Sequence, residues 1–242
     1  MNFFSLYYSS DAECDKTPEL FGVILQSITS SGIAMPLQPS TTQSEKALSL
    51  LEAKGMARLS EFKAAGIAEE TVARLTRQHR ITRLARGLYQ LPDVDLATEH
   101  SLAEAAKLVP KGVVCLVSAL QFHGLTVQMP SMVWMAIEGA ARKPKIAYPP
   151  IHFVRFGEAA VTSGIQEHCI EGVTVRLFDP AKTVVDCFRY RNKIGLDVAL
   201  EGMREALRRR RCKPDDIRHY AVAGRAWSIV RPYLEAMTAD GA

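Results

Sequence analysis

Two sets of residues in this 242-residue chain have types and spacing suited to chemistry on a polyanion. The first is five arginines at a three-residue interval: Arg74, Arg77, Arg80, Arg83 and Arg86, with no acid between Glu70 and Asp93. Guanidinium groups grip phosphate oxygens and guanine edges through paired hydrogen bonds, so such a series fits DNA. The second is D-P-A-K-T-V-V-D, which supplies Asp179, Lys182 and Asp186. Two carboxylates and a lysine could hold a divalent metal at a scissile phosphate, as in a DNA-directed nuclease. The same spacing also suits a helix N-cap at Asp179 followed by an i,i+4 ion pair between Lys182 and Asp186. The structural role is the expectation, and the metal-dependent nuclease is the alternative.

Other catalytic patterns are missing from the sequence. The histidines (His79, His100, His123, His152, His168, His219) are dispersed, with no H-E-x-x-H. Ser118 lies in V-S-A-L and not in a G-x-S-x-G elbow, and no phosphate-binding glycine loop occurs. Glu52 and Lys54 form an E-x-K, but on the first helix of the basic unit. The reading is therefore non-enzymatic, with no catalytic residue, metal or cofactor. Five scattered cysteines without a C-x-x-C argue against a disulfide framework and a zinc knuckle. With no basic leader and no long apolar run, they point to a cytoplasmic protein without a membrane partner.

The elements that must position the arginines can be read from helix and turn signals. S-E-K-A-L-S-L-L-E-A-K-G predicts a helix capped by Ser44 and stopped by Gly55. A short strand over 56–59 and a helix capped by Ser60 and closed by Gly66 follow. Ala68 to His79 or Arg80 is the third helix. On its wheel Val72, Leu75 and His79 face inward, while Thr71, Arg74, Arg77 and Gln78 face outward. I-T-R-L-A-R-G-L-Y-Q-L then reads as a hairpin turning at Gly87 and ended by Pro92. Three helices and a hairpin in this order are a winged helix-turn-helix. Thr71, Arg74, Arg77 and Gln78 would meet base edges, and Arg80, Arg83 and Arg86 would meet phosphates or the minor groove.

Beyond Ala97 the signals change. Helices are expected over 99–108 and 118–124, then strands over 133–137, 151–156, 165–170 and 173–178, the last pair turning at Glu171-Gly172. Asp179 and Pro180 open a further helix, followed by helices over 196–211 and 227–237. This gives an α+β protein: an N-terminal winged helix-turn-helix at 44–94, then a mixed α/β C-terminal domain at 95–242 with a mostly antiparallel sheet and helices. Residues 1–43, rich in Ser, Thr, Pro and Gly after a short apolar run, are expected to be a poorly ordered extension, or sequence upstream of a true start at Met35.

Charge follows the same division. The total is only +4, but residues 1–43 carry −3, residues 44–94 carry +3 and residues 95–242 carry +4. The later excess includes Arg208-Arg209-Arg210-Arg211, which ends a helix where cations complement the dipole. Together with Arg189, Arg191, Lys193 and Lys213 it is also a candidate second basic surface.

R-x-x-R-G-L-Y-Q-L-P (Arg83 to Pro92) resembles the end of the winged helix in AbiEi-type antitoxins. S-A-L-Q-F-H-G-L-T (Ser118 to Thr126) and F-D-P-A-K-T-V-V-D-C-F (Phe178 to Phe188) resemble segments of that family's C-terminal domain, in the same order. The resemblance runs from Ser44 to the last helix. It implies a bacterial antitoxin and transcriptional autorepressor whose winged helix binds double-stranded operator DNA with inverted repeats. It also implies a phage-defence role in a type IV pair. There the C-terminal domain counteracts a nucleotidyltransferase-like toxin without forming a stable complex. Monomer or weak dimer remains open, and a C-terminal domain serving only protein interaction is the other alternative.

Overall fold

The computed structural model describes residues 42–92 and 99–239. Of the extension expected at 1–43, residues 1–41 lie outside the described residues, as does the alternative start at Met35. The chain divides into two compact units between residues 94 and 95.

The first unit runs α1 (Gln43–Lys54), β1 (Met56–Arg58), α2 (Leu59–Ala64), α3 (Glu69–Arg77), β2 (Thr82–Ala85) and β3 (Leu88–Gln90). Helix α1 begins earlier than the Ser44 cap anticipates. Thr42 is the N-cap: its hydroxyl accepts from Glu45 N at 3.2 Å, and its own N–H donates to Glu45 Oε2 at 2.7 Å. This reciprocal box satisfies two donors that a bare helix start would leave open. Gly55, at φ 65°, ends the helix as expected. Helix α2 starts at Leu59, before the Ser60 cap, because Glu61 Oε2 already receives Arg58 N at 2.7 Å.

The three strands form an antiparallel sheet of order β1-β3-β2. A winged helix needs this return of the hairpin onto the first strand. Leu51, Phe62, Ile67, Val72, Leu75 and Ile81 make the core, with Tyr89 set edge-on to Phe62 at 5.9 Å. Each of the three helices therefore contributes apolar side chains to one interior, which fixes the angle at which α3 is presented.

The second unit contains α4 (His100–Leu108), β4 (Val113–Val114), α5 (Leu116–Phe122), β5 (Val133–Glu138), β6 (Ile151–Phe156), α6 (Glu158–Thr162), β7 (Ile165–Ile170), β8 (Val173–Phe178), α7 (Pro180–Arg189), α8 (Arg191–Ile194), α9 (Leu196–Arg208), α10 (Pro214–Ala223) and α11 (Trp227–Ala239). Its five strands are ordered β6-β5-β4-β8-β7. The mixed α/β character agrees with the sequence, but pairing is evenly divided: β4–β5 and β7–β8 are antiparallel, β4–β8 and β5–β6 parallel. The expectation of a mostly antiparallel sheet missed the two parallel pairs. Only β7–β8 is a local hairpin, with Glu171 and Gly172 both at positive φ as a type I′ turn requires. Strands β4 and β8 are remote in the chain, and β5 and β6 are consecutive but run parallel across a crossover loop, neither of which local patterning registers.

Helix α7 is the hub, with Pro180 to Phe188 all buried and α5, α9, α10 and α11 packed against it. Val113, Ala136, Val154, Phe156 and Phe178 extend this core from the sheet. Helix α4 packs against β8, β7 and β5.

Candidate nucleic-acid interface

Presentation of α3 begins at the turn before it. Gly66, at φ +75°, lets the chain reverse, and Ile67 N donates to Phe62 O at 2.9 Å. Ile67 is then only 2 % exposed, a hydrophobic staple just before the helix. The N-cap of α3, Ala68, has no side chain able to bond the helix start. Gln43 on α1 supplies the missing acceptor. Its Oε1 receives Ala68 N and Thr71 Oγ1, each at 3.1 Å, while its Nε2 donates to Gly66 O at 3.3 Å. Sequence reasoning did not find this residue. Ala68 at a cap position was a hint that a cap must come from elsewhere, but nothing local could say from where.

The structure divides the expected base-reading set. Arg74, Arg77 and Gln78 are exposed, whereas Thr71 is 8 % exposed with its hydroxyl committed to Gln43. Thr71 is thus a packing residue of the α1–α3 contact, a correction to the outward face drawn on the wheel. It sits at the flank of the stripe made by Val72 and Leu75, and α1 covers that flank. Arg74 Nη2 donates to Ser44 Oγ at 2.9 Å, so this guanidinium is steered by the start of α1 and keeps its other donors outward.

The helix also stops sooner than Arg80. Gln78 is its C-cap, bonding Arg74 O at 3.0 Å; His79 is left-handed at φ 55°, and Arg80 N reaches back to Leu75 O at 3.0 Å. This left-handed closure turns Arg80 off the helix axis toward the wing. On the wing Arg83 and Arg86 are exposed. A register shift between Arg83 and Ala85 lets Arg83 Nε donate to Ala85 O at 3.3 Å. Gly87, at φ 75°, makes the tip, and its carbonyl receives Leu59 N at 2.8 Å, tying the wing to the start of α2. Of the two acids opening α3, Glu69 is paired with Lys63 at 2.8 Å.

The alternative site on α7 is closed. Asp179 caps the helix, its Oδ1 accepting from Lys182 N at 2.8 Å and its Oδ2 from Tyr220 Oη at 2.6 Å. Lys182 Nζ donates to Asp186 Oδ2 at 2.7 Å and lies 3.9 Å from the centre of the Phe178 ring. Asp186 Oδ1 also takes Arg189 Nη1 at 3.1 Å. Burial pushes the Asp186 carboxyl up, against the pull of Lys182 and Arg189. With Lys182 at 4 % and Asp186 at 2 % exposure, these groups form an interior ion cluster. Among the described residues no group of three or more His, Cys, Asp or Glu side chains is placed to hold a metal ion.

Within the Arg208–Arg211 block, Arg208 and Arg209 both bond Glu205. Arg208 bonds Glu205 through Nε (3.0 Å) and Nη2 (2.6 Å), and Arg209 Nε bonds it at 2.8 Å. These bonds hold the Glu205 carboxyl at about 2.

No curated protein matches the chain. Among solved structures, the RV2827C protein from Mycobacterium tuberculosis is similar in fold, with a TM-score of 0.57 over 81% of this chain and 77% of that one at 12% identity. A family described as "Transcriptional regulator, AbiEi antitoxin" matches residues 45–92. That span runs from the third residue of α1 through α2, α3 and the wing and holds every arginine of the series, so the similarity to AbiEi antitoxin transcriptional regulators is carried by the winged-helix unit.

Proposed function

We propose that the chain is an autoregulatory repressor that binds inverted repeats in double-stranded DNA upstream of its own operon. Arg74, Arg77 and Gln78 reach base edges in the major groove, with Thr71 and Gln43 holding the helix from behind. Arg80, Arg83 and Arg86 take phosphates. The observation that carries this reading is the exposed Arg74–Arg77 pair on the third helix of a family-matched winged helix, continued by exposed arginines on the wing. Following the family, the second unit counteracts a nucleotidyltransferase-like toxin in a type IV pair that serves phage defence in the cytoplasm. The two proteins form no stable complex. The chain acts as a monomer or weak dimer, has no catalytic role and needs no cofactor.

The test is binding of the full chain to its own upstream duplex and to a shuffled one across a salt series. A preference for the native sequence, with affinity falling steeply as salt rises, is expected. Equal weak binding to both would overturn the repressor reading. Co-expression with the neighbouring gene tests the antitoxin half, with rescue of growth as the expected result.

A further inference from the structure

We propose that the second unit binds an unpaired nucleotide in the groove beside Tyr148, with the basic 142–145 loop taking its phosphate. The groove has a volume of about 240 Å³ and is lined within this unit alone. That lies below the ~300 Å³ at which pockets for larger ligands begin, and suits one planar ring. Phe122, Met132 and Tyr148 give it apolar and aromatic walls, while Gln121, Ser131 and Glu99 add an amide, a hydroxyl and a carboxylate. These are groups for stacking a base and bonding its edge. Glu99 in particular accepts from an exocyclic amino group. Tyr148 is 60% exposed, so its ring is open to a stacking partner.

Charge supplies the second half of the site. No acid occurs between Glu138 and Glu158, whereas Arg142, Lys143, Lys145 and Arg155 all lie in that stretch and are exposed. The first three directly precede Tyr148 on the loop joining β5 to β6. Lys143 Nζ sits 5.6 Å from the centre of the Phe153 ring, on the strand that leaves the groove at Pro150. Lys193 of α8 converges from another element: after burial, Lys143 and Lys193 are what lower His152 on β6. The rings of His152 and Trp134 lie 4.2 Å apart on neighbouring strands. Cations beside aromatic rings near an open strand edge are features with which proteins hold single-stranded nucleic acid.

Val127 and Met129 also stand exposed near the groove, at 89% and 81%, and a protein partner would cover them. The acid-free loop and the hydrogen-bonding lining favour the anionic ligand. Basic residues beside an edge strand also discourage edge-to-edge pairing, but that role needs neither a groove nor an exposed tyrosine.

The experiment uses the full chain carrying Arg74→Ala and Arg77→Ala, so that failure of the operator reading leaves it unaffected. Labelled oligodeoxyadenylate and free adenosine monophosphate are titrated separately at low salt. Binding of either probe, weakened about tenfold or more by Tyr148→Ala at an unchanged melting temperature, is expected. Lys143→Ala with Lys145→Ala should flatten the salt dependence. Much tighter binding of the oligomer identifies a single strand as the source, and equal binding identifies a free nucleotide. The proposal is overturned if neither probe binds, or if Tyr148→Ala and Gln121→Ala both leave binding unchanged. Loss of a protein contact in Tyr148→Ala, with nucleotide binding unaffected, would reassign the surface to protein docking.

Discussion

At the residue scale, the arginines of the first unit are chemically alike but differently held. Arg74 is steered by Ser44, Arg83 leans on its own strand, and Arg77 and Arg86 project into solvent. Arg74→Ala is expected to cost about 1–3 kcal/mol at the operator and to relax sequence preference there. Arg86→Ala should weaken native and shuffled duplexes alike. Quantitative gel shifts on both duplexes check this, and equal losses for the two variants would remove the division between reading and gripping. Gln43→Ala deletes an acceptor shared by Ala68 N and Thr71 Oγ1. The expected outcome is a loss of about 1 kcal/mol in urea denaturation, since each such bond has a modest net value and water can reach the site. Operator specificity should fall with it, because α3 is then free to shift at its N-terminus.

At the element scale, two helices carry buried charge with opposite degrees of support. On α7 the Lys182–Asp186 pair is completed by Arg189 and the Phe178 ring. Lys182→Met leaves a buried carboxylate with one partner and should destabilise by about 3–5 kcal/mol, whereas replacing both members with apolar residues should recover much of that. Chemical denaturation of the single and double variants decides it. On α4, Glu104 is 0 % exposed, and neither carboxylate oxygen has a hydrogen-bond partner among the described residues. Burial raises its pKa above the ordinary 4.5, with His100 opposing. A raised acid stabilises the fold below 4.5, where both states are protonated, and that contribution is lost as pH climbs through the raised folded value. Glu104→Gln should therefore gain on wild type as pH rises over that window. Melting curves that stay parallel across pH would show the carboxylate to be solvated.

At the scale of the whole molecule, net charge misleads and placement decides. Two of the four arginines in the 208–211 block answer Glu205, and Arg189 answers Asp186, so part of the charge that spacing gathers there is neutralised locally. Arg208→Ala is expected to leave the salt dependence of operator binding unchanged, while each arginine lost from the 74–86 series that meets a phosphate should lower the slope by about one. The order of elements in the first unit, the wing, the cap at Asp179 and the Glu171-Gly172 turn were legible in the sequence, because each depends on neighbours within a few residues. Helix α10 was missed although Lys213-Pro214-Asp215-Asp216 spells a helix start. The burial of Thr71, the cap supplied by Gln43, the parallel pairing of β4 with β8 and the groove beside Tyr148 were not legible. The sequence by itself determined which segments become helices and strands and where positive charge is concentrated, since propensity and capping act locally. Tertiary structure alone decided which face of α3 stays open, which carboxylates are consumed in the interior and which loops meet. Those outcomes depend on contacts between residues far apart in the chain, and no local pattern records them.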